Sequence, residues 1–184
     1  HDSKHDLKPE KDAVSSVALD TLEKGKQALI FTNTRKASES HAKKLAPIVS
    51  RRLTIEEKKA LEKFSEKALN VLEQPTTQCR TLASLIKEGV CFHNAGLLQK
   101  QREIIEDLFR KNLLKFICST PTLAAGVNLP AFRVVITSPY RYAGFGMERI
   151  PVSEFKQMSG RAGRPKYDSE GEALLLAKTE MEKD

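Results

Sequence analysis

Residues Pro151 to Pro165 read P-V-S-E-F-K-Q-M-S-G-R-A-G-R-P. Pro151 and Ser153 suit the first turn of a helix and Pro165 ends one, so the pattern predicts a single short helix. On it, Gln157, Arg161 and Arg164 fall at i, i+4 and i+7 and share a polar, cationic stripe. Phe155, Met158 and Ala162 fall on a second, apolar face. Gly160 and Gly163 would each cost about 1 kcal/mol in a helix interior, which makes sense where something must approach the backbone. Two guanidiniums one turn apart form a fork for polyphosphate oxygens. Such a pair can stabilise charge on a transferred phosphoryl group. The competing reading is a solvated basic helix end that favours the helix dipole. For two arginines alone that reading carries more weight; Gln157 and the paired glycines shift the balance toward phosphate.

Immediately upstream, Pro139 to Ile150 (P-Y-R-Y-A-G-F-G-M-E-R-I) alternates aromatics and arginines around two glycines. A β-hairpin is expected at about 138–151. Tyr140, Tyr142, Phe145 and Met147 offer stacking or wedge groups, and Arg141 and Arg149 offer phosphate contacts. Aromatics that merely pack on the domain are an equal alternative. Gly144-x-Gly146 lacks the rest of a dinucleotide fingerprint.

Short apolar runs punctuate the rest of the chain: Gln27–Thr32, Val90–Phe92, Lys115–Ser119, Arg133–Thr137 and Glu172–Ala177. Runs without alternation suit strands buried on both faces of a parallel sheet. Helical patterns separate them. One spans Asp12 to Lys24, with Asp12 as N-cap and Gly25 as stop; others run from Arg35 to about Ile48 and from Leu98 to about Lys111. Residues 51–88 are charged and helical and read as an insertion beside the α/β core, with its basic residues a solvated face. Residues 1–11 are polar and read as a linker or arm, and residues 12–184 as one domain.

Small polar residues follow the strands, where ligands bind in open α/β sheets. Thr32, Asn33 and Thr34 are candidate phosphate contacts, although these residues alone favour an ordinary helix cap. At Thr120-Pro121 a helix start exposes amide N–H groups; Gly126 frees the backbone and Asn128 can bond backbone and ligand. A lone His93 reads as structural, and Gly96 allows a close backbone approach.

The totals frame these readings. The 184 residues carry a formal net charge of +7, with 40% hydrophobic and 30% charged residues. The charge favours an acidic partner such as nucleic acid. No apolar run approaches the roughly 20 residues of a membrane span, and no signal peptide opens the chain. Cys79, Cys91 and Cys118 lack metal-ligand spacing, so no metal site is expected and a reducing, cytoplasmic setting is. The start at His1 leads us to expect a piece of something longer.

Q-M-S-G-R-A-G-R-P (157–165) resembles motif VI of superfamily-two helicases in the form of the Ski-like branch. L-I-F-T-N-T-R-K (29–36) is similar to motif IV, H-N-A-G-L (93–97) to the H-x-A-G-L element, and T-P-T-L-A-A-G-V-N-L-P (120–130) to motif V. With the hairpin between motifs V and VI, the chain looks most like the archaeal Hjm-type DNA repair helicases. The resemblance implies a RecA-like α/β fold, its mostly parallel sheet flanked by helices on both faces. It implies the second motor domain of an ATP-dependent enzyme that unwinds forked or branched DNA in repair or recombination, with single-stranded and forked DNA as its partners. Arg161 and Arg164 would act in catalysis, and Gln157, Gly126 and Asn128 would join them at the nucleotide. Thr32, Asn33, Thr34, Arg35, His93, Asn94, Gly96, Thr120, Thr122, Tyr140, Arg141, Tyr142 and Phe145 would face DNA. No G-x-x-x-x-G-K-[ST] loop or D-E-x-H box occurs. ATP and Mg2+ would therefore be held mainly by a first RecA-like domain of the same parent, and this piece alone would be inactive. An RNA helicase of the same branch and a non-motor nucleic-acid-binding module are the alternatives.

Overall fold

The computed structural model describes residues 12–121, 123, 129–142, 144–163 and 171–176. Five parallel strands form its centre: β1 (Ala28–Phe31), β2 (Val90–His93), β3 (Phe116–Ser119), β4 (Arg133–Ile136) and β7 (Glu172–Leu175), in the order β2-β3-β1-β4-β7. Successive side chains of a strand point to opposite faces. Every residue of β1, β2, β3 and β4 is buried, so both faces of the sheet are covered there. This is why those strands read as unbroken apolar runs. The outer strand β7 is only half-buried. An antiparallel pair, β5 (Tyr140–Tyr142) with β6 (Met147–Arg149), forms the expected hairpin.

The described helices are α1 (Ala13–Glu23), α2 (Arg35–Ser50), α3 (Ile55–Leu69), α4 (Thr77–Lys87), α5 (Gln99–Arg110) and α6 (Val152–Ser159). Side-chain caps start the first four: Asp12, Thr34, Thr54 and Thr76 each accept an amide N–H three residues on. Such caps are each worth about 1 kcal/mol. Gly25, at φ +68°, turns the chain out of α1. Helix α2 lies against β2 and β3, and α4 lies against β2. The reading of 51–88 as an insertion beside the core therefore needs correction. Leu82 and Ile86 of α4 are fully buried, and α4 belongs to the layer that covers the sheet. Its neighbour α3 packs on α4 and α5.

The predicted helix over 151–165 is also corrected. Helix α6 ends at Ser159, and Gly160 is its C-cap. Arg161 to Gly163 then run beside the segment preceding β4. Gly160 and Gly163 are not helix-interior residues: the first terminates the helix and the second adopts φ +94°.

Arg133, the first residue of β4, is 1% exposed. Its Nη1 lies 2.8 Å from Asp20 of α1, and its Nη2 lies 2.6 Å from Glu172 of β7. Nη1 also donates to Thr21 Oγ1 at 2.9 Å. Burial acts to raise the Asp20 pKa, but hydrogen bonds from Lys24 and Arg133 outweigh it and leave the pKa below the ordinary value. Removing one partner of a buried ion pair strands the others. Arg133→Met is expected to lower unfolding stability by about 3 kcal/mol, the low end for such pairs, because both carboxylates keep some solvent. Urea unfolding of the two chains measures it, and a loss under about 1 kcal/mol, the worth of one ordinary hydrogen bond, would contradict this role.

Candidate functional site

Two places on the domain gather the residues of interest, at opposite ends of β4. The first is the rim where the parallel strands end. Phe31, His93, Ser119 and Ile136 are level in the pairing register, so the residues after them emerge side by side. Thr32 N donates to Ser119 O at 2.7 Å, and Thr137 N donates to Phe31 O at 3.0 Å. The strand order β2-β3-β1 places Thr120 between the Asn94 loop and the Thr32 loop.

Within this rim the polar side chains divide into those that build it and those that face outward. Thr32 is 2% exposed, and its hydroxyl is shared with Ser38 Oγ at 2.5 Å and Thr34 O at 3.0 Å. Thr34 caps α2. His93 is 5% and Asn94 4% exposed. The His93 ring meets Glu106, and Asn94 Oδ1 accepts the Gly96 amide at 2.8 Å. The side chains of Thr32, His93 and Asn94 are buried and bonded internally, and in this arrangement they shape the loops. Asn33 and Thr120 are half-buried, and Arg35 and Gly96 are exposed. A Cβ on Gly96 would fall 3.1 Å from Arg35 Nη1 and 3.0 Å from Asn94 Oδ1. Glycine is thus what lets the Arg35 guanidinium lie against the Asn94 loop. Thr122, Gly126 and Asn128 lie outside the described residues.

The hairpin rises from the same rim, its base closed by Ile150 N donating to Pro139 O at 2.7 Å. Gly144 and Gly146 take φ +85° and +147°, and Phe145 between them is fully exposed. Met147 is 53% exposed, and Tyr140 is half-buried. Arg141 and Tyr142 are described only as backbone of β5.

The second place is the arginine turn. Helix α6 starts beside the hairpin base and packs on β4, with Met158 fully buried beneath it. At its far end Ala131 N donates to Arg161 O at 2.9 Å, and Gly163 N donates back to Ala131 O. Ala131 and Ala162 thus form a parallel bridge just ahead of β4. Gly163 packs backbone to backbone on Gly171: a Cβ on Gly171 would lie 2.2 Å from Gly163 N. Arg161 is half-buried, Gln157 is exposed, and Arg164 lies outside the described residues. The expected stripe of Gln157, Arg161 and Arg164 is not a helical one, because the helix stops before Arg161. Among the described residues no three His, Cys, Asp or Glu side chains converge to hold a metal ion. No helix among them is long and apolar enough to cross a membrane.

Residues 71–166, from ahead of α4 to just past the arginine turn, match the model of the helicase conserved C-terminal domain. The chain belongs to that family. It is 51% identical over 168 residues to the ATP-dependent DNA helicase Hel308 of Methanocella arvoryzae, covering 91% of this chain and 22% of that protein. The Hel308 proteins of Pyrococcus abyssi and Pyrococcus horikoshii are 48% and 44% identical over 164 residues, 89% of this chain and 22% of each. The chain therefore spans about a fifth of the length of these relatives.

Two residues of this helicase domain escaped sequence reasoning. Glu106 reads as an ordinary charged position of α5, and Arg133 as the polar start of an apolar run. Their partners, His93 and the Asp20–Glu172 pair, are distant in sequence and left no local signal.

Burial lowers the His93 pKa, aided by the nearby charge of Arg102 and opposed by the Glu106 carboxylate; the net shift is downward. Unfolding then binds a proton that the folded state refuses below about pH 6.5, the ordinary histidine value. Stability from this group is present above that pH and is lost as pH falls toward the folded pKa. The lowered carboxylates Asp12, Asp20 and Glu57 act in the same direction below about pH 4.5. The urea midpoint should fall between about pH 7 and pH 5.5, and His93→Gln should flatten that segment alone. An unchanged slope in the variant would show that His93 is not its source.

Proposed function

We propose that this chain is the second motor domain of an ATP-dependent DNA helicase acting on single-stranded and forked DNA in repair or recombination. The observation that carries the reading is the backbone stitching of Arg161–Gly163 to Ala131. It ties the segment resembling motif VI to the residue that directly follows the one resembling motif V. Support also comes from the relatives, whose names describe ATP-dependent DNA helicases and which align along about nine-tenths of this chain.

The donor set at the arginine turn suits a triphosphate: a guanidinium stays charged and offers planar paired donors. It does not suit a divalent cation, since no acidic cluster is found among the described residues. Arg161 and Arg164 would thus meet phosphate oxygens, with Gln157 beside them and with Gly126 and Asn128 contributing from the motif V loop. Magnesium and most of the nucleotide would be held by the first RecA-like domain of the parent. Bound ATP supplies, on hydrolysis, the free energy for a step along the strand. At the opposite end of β4, Arg35 and the Gly96 backbone would receive strand phosphates, with Asn33, Thr120 and Thr122 alongside. Phe145 at the hairpin tip would unstack the first base pair of a fork, with Tyr140, Arg141 and Tyr142 bracing the displaced end. The cation distribution favours the phosphate backbone, so binding should weaken steeply with salt.

Arg164→Ala or Arg161→Ala in the full-length parent should lower the DNA-stimulated ATPase rate by about 10³, the low end for arginine fingers. A steady-state assay decides it, and a near-normal rate with both replaced would sink the motor reading in favour of a passive binding module. Phe145→Ala should reduce fork unwinding by about tenfold, the loss of about 1–2 kcal/mol of stacking, while leaving DNA-stimulated ATPase largely intact. Unwinding that survives the replacement would remove the wedge role and leave the rest standing.

A further inference from the structure

Strand β2 ends at His93, and α5 begins at Gln99. The short loop between them is clasped at both ends by side chains of α5. At the front, His93 Nε2 lies 2.8 Å from Glu106 Oε2; the His93 side chain is 6% and the Glu106 side chain 16% exposed. At the back, Leu98 N donates to Gln101 Oε1 at 3.2 Å. Gln101 Nε2 in turn donates to Ala68 O at 3.2 Å, tying that end of the clasp to α3. Inside the loop, the Gly96 amide donates to Asn94 Oδ1, and Leu97 N donates to Asn94 O at 3.2 Å. Within the turn, Ala95 and Gly96 face outward, with the Arg35 guanidinium laid against Gly96.

A buried imidazole–carboxylate pair is a poor device for stability, because desolvation offsets most of its attraction. An apolar pair of the same shape would serve as well. The bond adds direction. Neutral His93 donates from Nε2 to the carboxylate, which fixes the tautomer and the plane of the ring. Protonated His93 donates from the same atom, so the clasp holds in either charge state.

We propose that Glu106 is a positioning residue for nucleic-acid binding: acting through His93, it holds the Asn94–Leu97 turn in the shape that lets Arg35 and the Gly96 backbone receive a strand's phosphates. This rests on the reading of the carboxyl rim as the nucleic-acid interface. Its loss should therefore appear in the affinity for DNA and not in the turnover once DNA is saturating.

The test uses the full-length parent, with its ATPase titrated by a single-stranded oligonucleotide. Glu106→Ala should raise the half-stimulating DNA concentration about tenfold, at a maximal rate equal to that of the unaltered protein. Glu106→Gln, whose amide oxygen still accepts from Nε2–H, should stay within about threefold, since the directional bond survives. A fall in maximal rate at unchanged half-stimulation would mean that Glu106 only keeps the protein folded, and would overturn the proposal. So would Glu106→Gln proving as damaging as Glu106→Ala. Arg35→Ala separates the two layers of argument. If it weakens DNA stimulation while Glu106→Ala does not, the positioning role alone is lost. If Arg35→Ala changes nothing, the rim is not the DNA interface and both readings fall.

Discussion

The geometry of this domain hangs on one buried guanidinium. Arg133 opens β4, and its fork reaches Asp20 of α1 on one side and Glu172 of β7 on the other. Arg133 and Glu172 are also register partners in the parallel pair. The ion pair therefore settles more than proximity: it selects which residue of β7 stands beside the start of β4. One residue earlier comes Gly171, whose backbone rests on Gly163 with no room for a side chain. Gly163 is bonded to Ala131, and so is Arg161. A slip of β7 by a single residue would turn its side chains to the other face and drive a side chain into the Gly163 backbone. Buried ion pairs return little net stability. Here the return is the placement of the arginine turn.

The two places of interest are separated by the length of β4 and joined by it. Four residues of strand span about 13 Å. Helix α6 covers nearly the same distance in the reverse direction, at about 1.5 Å per residue, from the hairpin base to the arginine turn. Met158 pins the helix to the core, and Phe155 packs beside it. Helix and strand thus act as two parallel struts with the hairpin at one end and Arg161 at the other.

Much of this was legible in the chain, and the parts that were not share a cause. Strands β1, β2, β3 and β4 stand out because burial on both faces favours at least three apolar residues in a row, and no helix stripe does that. Asp12, Thr34 and Gly25 announce helix ends by local chemistry that needs no distant partner. The extent of the arginine helix was not readable in this way. Gly160 and Gly163 are compatible with a helix that tolerates glycine and with one that stops, and the deciding contact is Ala131, some thirty residues away. His93 shows the same limit. The residue type alone marks His93 as structural, but in a strand buried on both faces alternation carries no information about which partner it meets. Helix α4 was misplaced because a strong apolar stripe says that a helix packs, but not on what.

These constraints bear on how the two ends communicate. A coupling through the domain would require an element with two discrete arrangements. The described core offers none: the central strands are fully buried, and the loops on the rim are braced by Thr32, Asn94 and the His93–Glu106 pair. Interiors packed to this degree deform little and move as units. On the proposed reading, the described core would therefore pass on information about the nucleotide as a rigid unit. It would arrive as a change in the position of the domain relative to a partner lobe, with β4 and α6 carrying the displacement from the arginine turn to the rim. The buried Arg133 pair would serve that role as well, since a body that must transmit a displacement can spare none of it to slippage between β4 and β7.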